Sequence, residues 1–543
     1  MRTVAPSIEY SLLVPMLVVF GVAVAGVLVE AFAPRRFRYG GQLALTVGGL
    51  AGAFVAVALL TGTRRMTVMG AVAVDGPTLT LQGVIVLVAL VAVPFLAERQ
   101  RLSAVGAGAS VAAASVTAPA GVATAGVPTG RLGGADAFTG QAAAVPGSAA
   151  ERAATESGRM HTEVFPLTMF AVGGMMLFPA ASDLLTMFVA LEVLSLPLYL
   201  LCGLARGRRL RSQEAALKYF LLGAFSSAFF LYGVALLYGF AGTVNLAGIA
   251  AALERQHDNR TLAIIGIAVL CVGLFFKISA VPFHAWTPDV YQGAPTPITA
   301  FMSAATKIAA FGALLRVLYV AVPSLADDWR PMLWVVAIAT MVVGVVMAVT
   351  ATDVKRMLAY SSISHTGFIL TAVIALDRDG LSSSMFYLIA YGFSTLGAFA
   401  ITGMVRSRTD PAREVTDLAA WTGVGRRSPA LGACFSILLL SFAGIPLTSG
   451  FVSKFAVFQA ALSAGGLALV IVGVICSAVA AYFYIRVIVL MFFAEPPEDG
   501  PVIVVPSVAT RASIALTAAV TVVLGIWPQP LLDLVNRAAE FLH

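Results

Sequence analysis

Six charged or ionisable side chains stand inside long apolar segments of this 543-residue sequence: Glu192, Lys218, Lys277, Lys307, His365 and Lys454. A charge at the centre of a membrane-spanning helix costs roughly 2.5 to 3.5 kcal/mol on insertion scales, so six together indicate function. Burial lowers the pKa of an amine and a nearby carboxylate raises it, so such groups can load and release protons. The pattern predicts a proton relay of lysines, one glutamate and one histidine.

Most of these side chains also have a structural explanation. Lys218 and Lys307 could extend their amines from helix ends to the membrane surface. His365 could be a neutral, hydrogen-bonded buried histidine. Glu192 could form a purely structural salt bridge with another helix. Lys277 has apolar residues before it and a proline after it, so the functional interpretation is strongest there.

The elements that must position these groups are membrane-spanning helices. Hydrophobic residues make up 59% of the sequence and charged residues 11%, which is typical of an all-α integral membrane protein. An apolar run of roughly 17 to 25 residues crosses the hydrocarbon core, and the sequence contains about fourteen such runs. The predicted spans are 11–32, 41–61, 78–96, 163–181, 184–204, 214–240, 261–284, 296–321, 331–350, 356–376, 383–405, 429–456, 466–492 and 509–532.

Two of the predicted spans are interrupted. In the seventh, Pro282 follows Lys277 by five residues, and in the twelfth the stretch "AGIPLTSG" precedes Lys454. Proline and glycine break a membrane helix where protein or water satisfies the freed backbone groups. Interruptions at matching positions point to an inverted repeat, with spans four to eight and nine to thirteen as the two units.

The net charge of +7 comes largely from arginines in short loops. The clusters "PRRFR", "ARGRRLR", "DVKR" and "RSRTDPAR" fall on one side of the membrane if the spans alternate, which predicts that both termini face away from the cytoplasm. Asp353 and Lys355 stand at the edge of a span, and we interpret them mostly as loop charges. No basic patch interleaved with aromatic residues indicates a nucleic-acid partner.

The four cysteines lie far apart in apolar spans, without a CxxC motif or Cys/His spacing. No glycine-rich nucleotide-binding motif is present either. The sequence therefore predicts no redox centre, no metal site and no cofactor-binding site in this chain. The cysteines are Cys202, Cys271, Cys434 and Cys476.

Four segments carry a family resemblance: "LKYFLLGAFSSAFFLYGVALLYG", "FKISAVPFHAWTPDVYQGAPTPITAF", "DVKRMLAYSSISHTGF" and "GIPLTSGFVSKF". They resemble the N-type subunits of the proton-pumping NADH:quinone oxidoreductase, respiratory complex I, over about Phe165 to Phe455. The form "WTPDVYQGAPTP" is similar to the N type, as distinct from the related L and M subunits. The resemblance implies an antiporter-like fold of about fourteen transmembrane helices, with two inverted five-helix repeats and broken helices 7 and 12.

The resemblance also implies a domain organisation and a role for each relay residue. The domains are N-terminal helices 1–3 (1–97), a low-complexity Ala/Gly-rich cytoplasmic loop (98–162), the first repeat (163–321), the second repeat (322–492) and C-terminal helix 14 (493–543). The implied roles are a glutamate of the fifth helix (Glu192) paired with a lysine of the sixth (Lys218), a central lysine (Lys277), a connecting lysine (Lys307), a histidine between the half-channels (His365) and a lysine of the broken twelfth helix (Lys454). The 98–162 segment departs from the family pattern.

The implied function is proton translocation by a subunit of a multi-pass membrane translocase. NADH, FMN, iron-sulfur clusters and quinone would belong to partner subunits. The partners would be the other subunits of complex I, especially the neighbouring membrane-arm subunits, and the lipids of the cell membrane. Three alternatives remain: an Mrp-type cation/proton antiporter subunit, a structural membrane arm that pumps nothing, and a hydrogenase-linked complex.

Overall fold

Helices make up nearly all of the structure. It is a computed structural model that describes residues 8–98, 137–138, 145, 148–150, 161–206, 208–255, 260–409, 413–497 and 500–542. Within these residues, eleven helices are long and apolar enough to cross a membrane, and two apolar helices are shorter. The all-α membrane architecture predicted from composition is confirmed, and a helix lies at the position of each predicted span. The total of fourteen crossings and the two-repeat domain division stay predictions.

The helices are α1 (Tyr10–Phe32), α2 (Arg35–Leu59), α3 (Gly76–Leu96), α4 (Val164–Leu177), α5 (Leu184–Cys202), α6 (Arg209–Ala241), α7 (Leu246–Arg255), α8 (Arg260–Ile278), α9 (Trp286–Gly293), α10 (Thr296–Arg316), α11 (Ala326–Thr350), α12 (Val354–Val373), α13 (Arg378–Thr402), α14 (Val424–Arg427), α15 (Pro429–Ala443), α16 (Ser449–Ser463), α17 (Leu467–Phe492), α18 (Val508–Ile526) and α19 (Gln529–Ala538). Two small antiparallel pairs join β1 (Arg65–Thr67) to β2 (Val72–Val74) and β3 (Val405–Arg406) to β4 (Val502–Ile503). Most of the loop predicted over 98–162 lies outside the described residues.

Aspartates start four of the helices in the same way. In each case the carboxylate precedes the helix and accepts a hydrogen bond from the backbone N–H three residues later. This arrangement satisfies a backbone donor that the first helical turn leaves free, and the negative charge suits the positive end of the helix dipole. The residues are Asp75, Asp183, Asp353 and Asp377, at the starts of α3, α5, α12 and α13.

The centre of the bundle is formed by α10 and α13, which pack against each other. The spanning windows of both helices are fully buried, whereas those of α1, α17 and α18 are about one third buried. A helix without an exposed face can hold polar groups out of contact with lipid. These two helices and the neighbouring α12 therefore provide the interior in which ionisable residues can lie.

Both predicted interruptions are present. The seventh span consists of α8 and α9, and the residue after α8, Ser279, has a left-handed φ of 64°. The twelfth span consists of α15 and α16, separated by a turn in which Gly444 and Leu447 have φ of 82° and 69°. A left-handed residue ends a helix because it redirects the chain. Each break leaves backbone groups inside the bundle that need other partners.

A fully buried ion pair, unexpected from the sequence analysis, fixes the end of α10. Arg316 donates from Nη2 to both Asp75 oxygens at 2.8 and 2.9 Å, and from Nε to the Pro179 carbonyl at 2.6 Å. The side chains of the pair are 0% exposed. The backbone N–H of Leu542 also donates to Asp75, and the Phe541 ring lies 4.6 Å from the guanidinium carbon. The pair therefore joins α10, α3 and the last described residues.

We expect Arg316→Met to destabilise the protein by about 3 to 5 kcal/mol, because it leaves the Asp75 carboxylate buried without a counter-charge. Thermal unfolding in detergent can be monitored through the labelling of the Cys202 and Cys271 thiols, which are buried in the folded state. The control is Arg64→Met, which removes a solvent-exposed pair with Glu540. Exposed pairs contribute roughly 0 to 1 kcal/mol, so equal shifts in the two variants would contradict the prediction.

Candidate functional site

Lys277 lies in the last turn of α8, at the first interruption. Its side chain is 3% exposed, and Nζ lies 3.4 Å from the Tyr219 hydroxyl. The amine also lies 5.0 and 5.5 Å from the ring centroids of Tyr219 and Tyr199. Aromatic faces attract a cation, most strongly where water is excluded. Trp286, at the start of α9, stacks on Tyr219 at 4.6 Å, so the second half of the broken helix helps to build this pocket.

Glu192 and Lys218 do not form the pair that the resemblance implies. Lys218 binds Glu214 at 2.6 Å, one helical turn earlier, and Asp289 on α9 at 2.8 Å. Its side chain is 40% exposed, so this lysine is far less buried than we predicted. One oxygen of Glu192 is buried and has no hydrogen-bond partner among the described residues. The charge of Glu192 acts electrostatically on Lys277.

Lys307 is buried in the middle of α10, with 2% of its surface exposed. Nζ donates to the carbonyl and to the hydroxyl oxygen of Ser362 on α12, at 2.5 and 2.6 Å. The Tyr391 ring of α13 lies 5.4 Å away. This lysine therefore does not reach the membrane surface, and its contacts connect the first half of the chain to the second.

His365 of α12 lies between two tyrosine hydroxyls. Its Nδ1 is 2.6 Å from the Tyr387 hydroxyl of α13, and its Nε2 is 3.4 Å from the Tyr484 hydroxyl of α17. The Tyr484 hydroxyl also contacts the hydroxyl of Ser361. A neutral imidazole donates from one nitrogen and accepts at the other, so a proton can leave from one side while another binds at the opposite side. The histidine is 2% exposed and thus shielded from solvent.

Lys454 lies at the second interruption, in the second turn of α16. Nζ donates to the carbonyls of Phe442 and Ala443 at 2.8 and 3.1 Å, and to the Ser477 hydroxyl at 2.7 Å. Those carbonyls belong to the last turn of α15, where no helical N–H remains to satisfy them. The ammonium group therefore caps the negative end of that helix. A Cβ at Gly444 would come within 3.0 Å of the lysine side chain, so a glycine leaves room for it.

Comparison with known proteins decides the family. Residues 181–480 match the family described as NADH:quinone oxidoreductase/Mrp antiporter, TM. The chain is 68% identical over 540 residues to a Rhodococcus opacus protein named NADH-quinone oxidoreductase subunit N, covering 99% of this chain and 97% of that protein. This chain belongs to the N-subunit family of NADH-quinone oxidoreductases. The family expected from the four motifs is confirmed.

Solved structures agree with the antiporter-like fold of the N-subunit family. A chain of respiratory complex I from Thermus thermophilus with bound aureothin is 31% identical, with a TM-score of 0.73, covering 96% of this chain and 99% of that one. A chain of the Mrp complex from Dietzia sp. is 23% identical with a TM-score of 0.76, covering 98% and 97%. At that identity the Mrp likeness shows the fold alone.

Several charged residues of this N-subunit were not recognised from the sequence. Lys355, which we interpreted as a loop charge, is 1% exposed and forms an ion pair with Glu414. Asp289 binds both Lys218 and Arg356, each at 2.8 Å. Position at the edge of a span does not reveal whether a loop folds over the side chain. For Lys355 the described residues between α13 and α14 include Glu414, which supplies the carboxylate.

The Glu414 carboxylate is held by several donors. Besides Lys355, it accepts from the Thr296 hydroxyl at 2.6 Å and lies 3.6 Å from Arg406 Nη2. Burial alone would raise the pKa of Glu414, but the charges of Lys355 and Arg406 lower it from 4.5 to about 2. Because the pKa in the folded state lies below its ordinary value, the stabilisation is present above pH 4.5 and is lost as the pH falls towards 2.

We expect Glu414→Gln to destabilise the chain by about 3 to 5 kcal/mol, because Lys355 then stays buried without an anion. The double variant with Lys355→Met should recover most of the loss, since it removes both charges. The matched control, Asp417→Asn, changes an exposed aspartate of the same loop. Thermal unfolding measured as a function of pH would test the sign of the pH dependence. Glu414→Gln should lack the part of the stability loss in acid that protonation of Glu414 causes. An equal acid response in both proteins would refute the pairing.

Metal ligands are not gathered anywhere in the described part of the chain. No group of three or more His, Cys, Asp or Glu side chains there could hold a metal ion. The four cysteines are free thiols.

Proposed function

We propose that this chain carries protons across the membrane as a membrane-arm subunit of a respiratory complex I. The observation that carries the proposal is the row of buried ionisable groups across the bundle: Lys277, Lys307, His365 and Lys454. Each of them contacts hydroxyls, carbonyls or aromatic faces, and none has a carboxylate in ion-pair contact within the described residues. Such amines can give up a proton without breaking a salt bridge.

The contacts suggest an order of transfer. Lys277 lies in the last turn before the first helix break, beside the hydroxyl and ring of Tyr219. Lys307 follows on α10 and is joined through Ser362 to α12. His365 lies one turn further along α12, and Lys454 acts on it electrostatically from the second break. Charge introduced at one member therefore changes the ease of protonating the next.

Glu192, Lys218 and Asp289 provide a control point at the beginning of the row. Lys218 is bound to Asp289 in this conformation, which leaves the buried Glu192 carboxylate to act on Lys277. A nearby carboxylate favours the charged form of a lysine. Movement of Lys218 towards Glu192 would neutralise that carboxylate and release the proton held by Lys277. All six predicted relay residues keep a role in this proposal, with Asp289 added.

The proposed energy source lies outside the chain. The relatives are named subunits of NADH-quinone oxidoreductase, and a similar chain belongs to a solved respiratory complex I. NADH, FMN, iron-sulfur clusters and quinone are assigned to partner subunits, and the partners of this chain are the other subunits of that complex and the lipids of the cell membrane. Both termini are proposed to face away from the cytoplasm.

Lys277→Ala tests the proposal in inverted membrane vesicles. We expect the complex to assemble and NADH-driven proton uptake per assembled complex to fall roughly 10-fold or more, as for loss of a required proton-transfer group. The matched control is Leu274→Ala on the same helix, which opens a cavity beside the lysine but keeps the amine. Leu274 is 0% exposed, so this control reports the effect of lost packing.

Three results are informative. Wild-type pumping per assembled complex in Lys277→Ala would support a purely structural arm and overturn the relay. Equal losses in both variants would assign the effect to packing. Sodium-dependent proton exchange that needs this chain, without NADH-linked activity, would favour an Mrp-type antiporter, which the shared fold makes the second candidate.

A further inference from the structure

Tyr484 lies beside His365, one of the four buried ionisable groups of the proposed row. It lies on α17 and is fully buried, whereas Tyr482, two residues earlier on the same helix, is 61% exposed. The Tyr484 hydroxyl contacts the Ser361 hydroxyl and lies 3.4 Å from His365 Nε2. Ser361 is adjacent in sequence to Ser362, which accepts the hydrogen bond from Lys307. The Tyr484 hydroxyl therefore joins Ser361, the sequence neighbour of the serine that binds Lys307, to the histidine.

The two partners of this hydroxyl differ in kind from those of several other donors within the described residues. Trp286 and Trp329 donate their ring N–H groups to backbone carbonyls, at 3.0 Å each, and Tyr39 donates to another at 2.7 Å. A backbone carbonyl accepts a hydrogen bond but has no proton to pass on. Tyr484 instead faces a serine hydroxyl and an imidazole nitrogen, and both can accept and release protons.

We propose that Tyr484 is a further relay residue, which passes protons between Ser361 and His365. This inference rests on the function proposed above. In the forward step, the Tyr484 oxygen takes a proton from the Ser361 side while its own proton leaves to His365 Nε2. The proton arrives from the Lys307 side of the row. At Ser361 and at Tyr484 one O–H bond forms and one breaks, because each hydroxyl takes up the incoming proton and passes on its own, so both stay neutral and no electron moves. One N–H bond forms at His365 Nε2, and His365 holds the transferred proton as an imidazolium whose Nδ1 contacts the Tyr387 hydroxyl, 2.6 Å away.

The aromatic ring has a separate, structural task. It packs against Phe483 and Phe442, with centroids 4.2 and 5.8 Å apart. Phe442 is also the residue whose carbonyl accepts from Lys454. Replacing the tyrosine by phenylalanine keeps this packing and removes only the hydroxyl, so the relay role can be separated from the packing role.

The test compares Tyr484→Phe, Ser361→Ala and the double variant in the assembled complex. We expect each single variant to lower NADH-driven proton uptake and quinone-linked turnover on the order of 10-fold, with a larger solvent isotope effect in D2O, because the proton must cross the gap through water. The double variant should be no worse than either single one, since both break the same connection. Tyr482→Phe, on the exposed side of α17, is the matched control and should retain wild-type uptake.

The outcomes separate the two proposals. If Lys277→Ala abolishes pumping while Tyr484→Phe matches the wild type in uptake and isotope effect, Tyr484 is only a packing residue and this inference fails. A lower unfolding temperature with unchanged uptake and isotope effect leads to the same conclusion. If neither variant changes pumping in assembled complex, the proposed function fails first. Additive losses in the double variant would show that Ser361 and Tyr484 act on separate paths.

Discussion

A buried ammonium group must be surrounded by oxygens or aromatic faces, and this requirement organises the middle of the bundle. Lys277, Lys307 and Lys454 meet it with neutral groups: tyrosine rings, a serine, and carbonyls at the end of a helix. Two other buried cations, Lys355 and Arg316, meet it with carboxylates. A carboxylate in contact keeps a cation charged, whereas a neutral partner lets the proton leave. The type of partner therefore separates the charges that we assign to structure from those that we propose to carry protons.

The helix interruptions follow from the same requirement. A continuous helix already pairs its own carbonyls and N–H groups, so a charge beside it must share a paired carbonyl, as Lys307 does at Ser362, or rely on side chains. Ending a helix inside the membrane frees carbonyls that would be costly without a donor. In α15 the freed carbonyls are satisfied by Lys454, and after α8 the chain turns at Ser279 to bring Trp286 against the pocket of Lys277. At the second break the lysine and the freed carbonyls thus compensate for each other, whereas at the first break Trp286 donates to the Phe276 carbonyl.

The sequence revealed the features that are costly in lipid. Charges in apolar runs, such as Lys307, and prolines or glycines within spans can be read directly because the bilayer penalises them. Neutral polar residues gave no such signal: Tyr484 and Ser361 are ordinary residues of a membrane helix until another helix is placed beside them. The sequence also does not show which carboxylate a lysine binds. The family resemblance therefore pairs Lys218 with Glu192, whereas in the structure Lys218 binds Asp289. Sequence periodicity places a side chain on its helix but does not specify which residue of another helix faces it.

The contact between Lys454 and the end of α15 makes a side-chain charge part of the backbone structure. When the amine gives up its proton, it keeps two donors for three acceptors: two carbonyls and the Ser477 hydroxyl. The Ser477 hydroxyl also donates to the Ala443 carbonyl at 3.3 Å, so that carbonyl keeps a partner, and the loss falls on the other contacts beside Gly444. The Lys454 ammonium group is therefore one of the groups that set the backbone geometry of the second break.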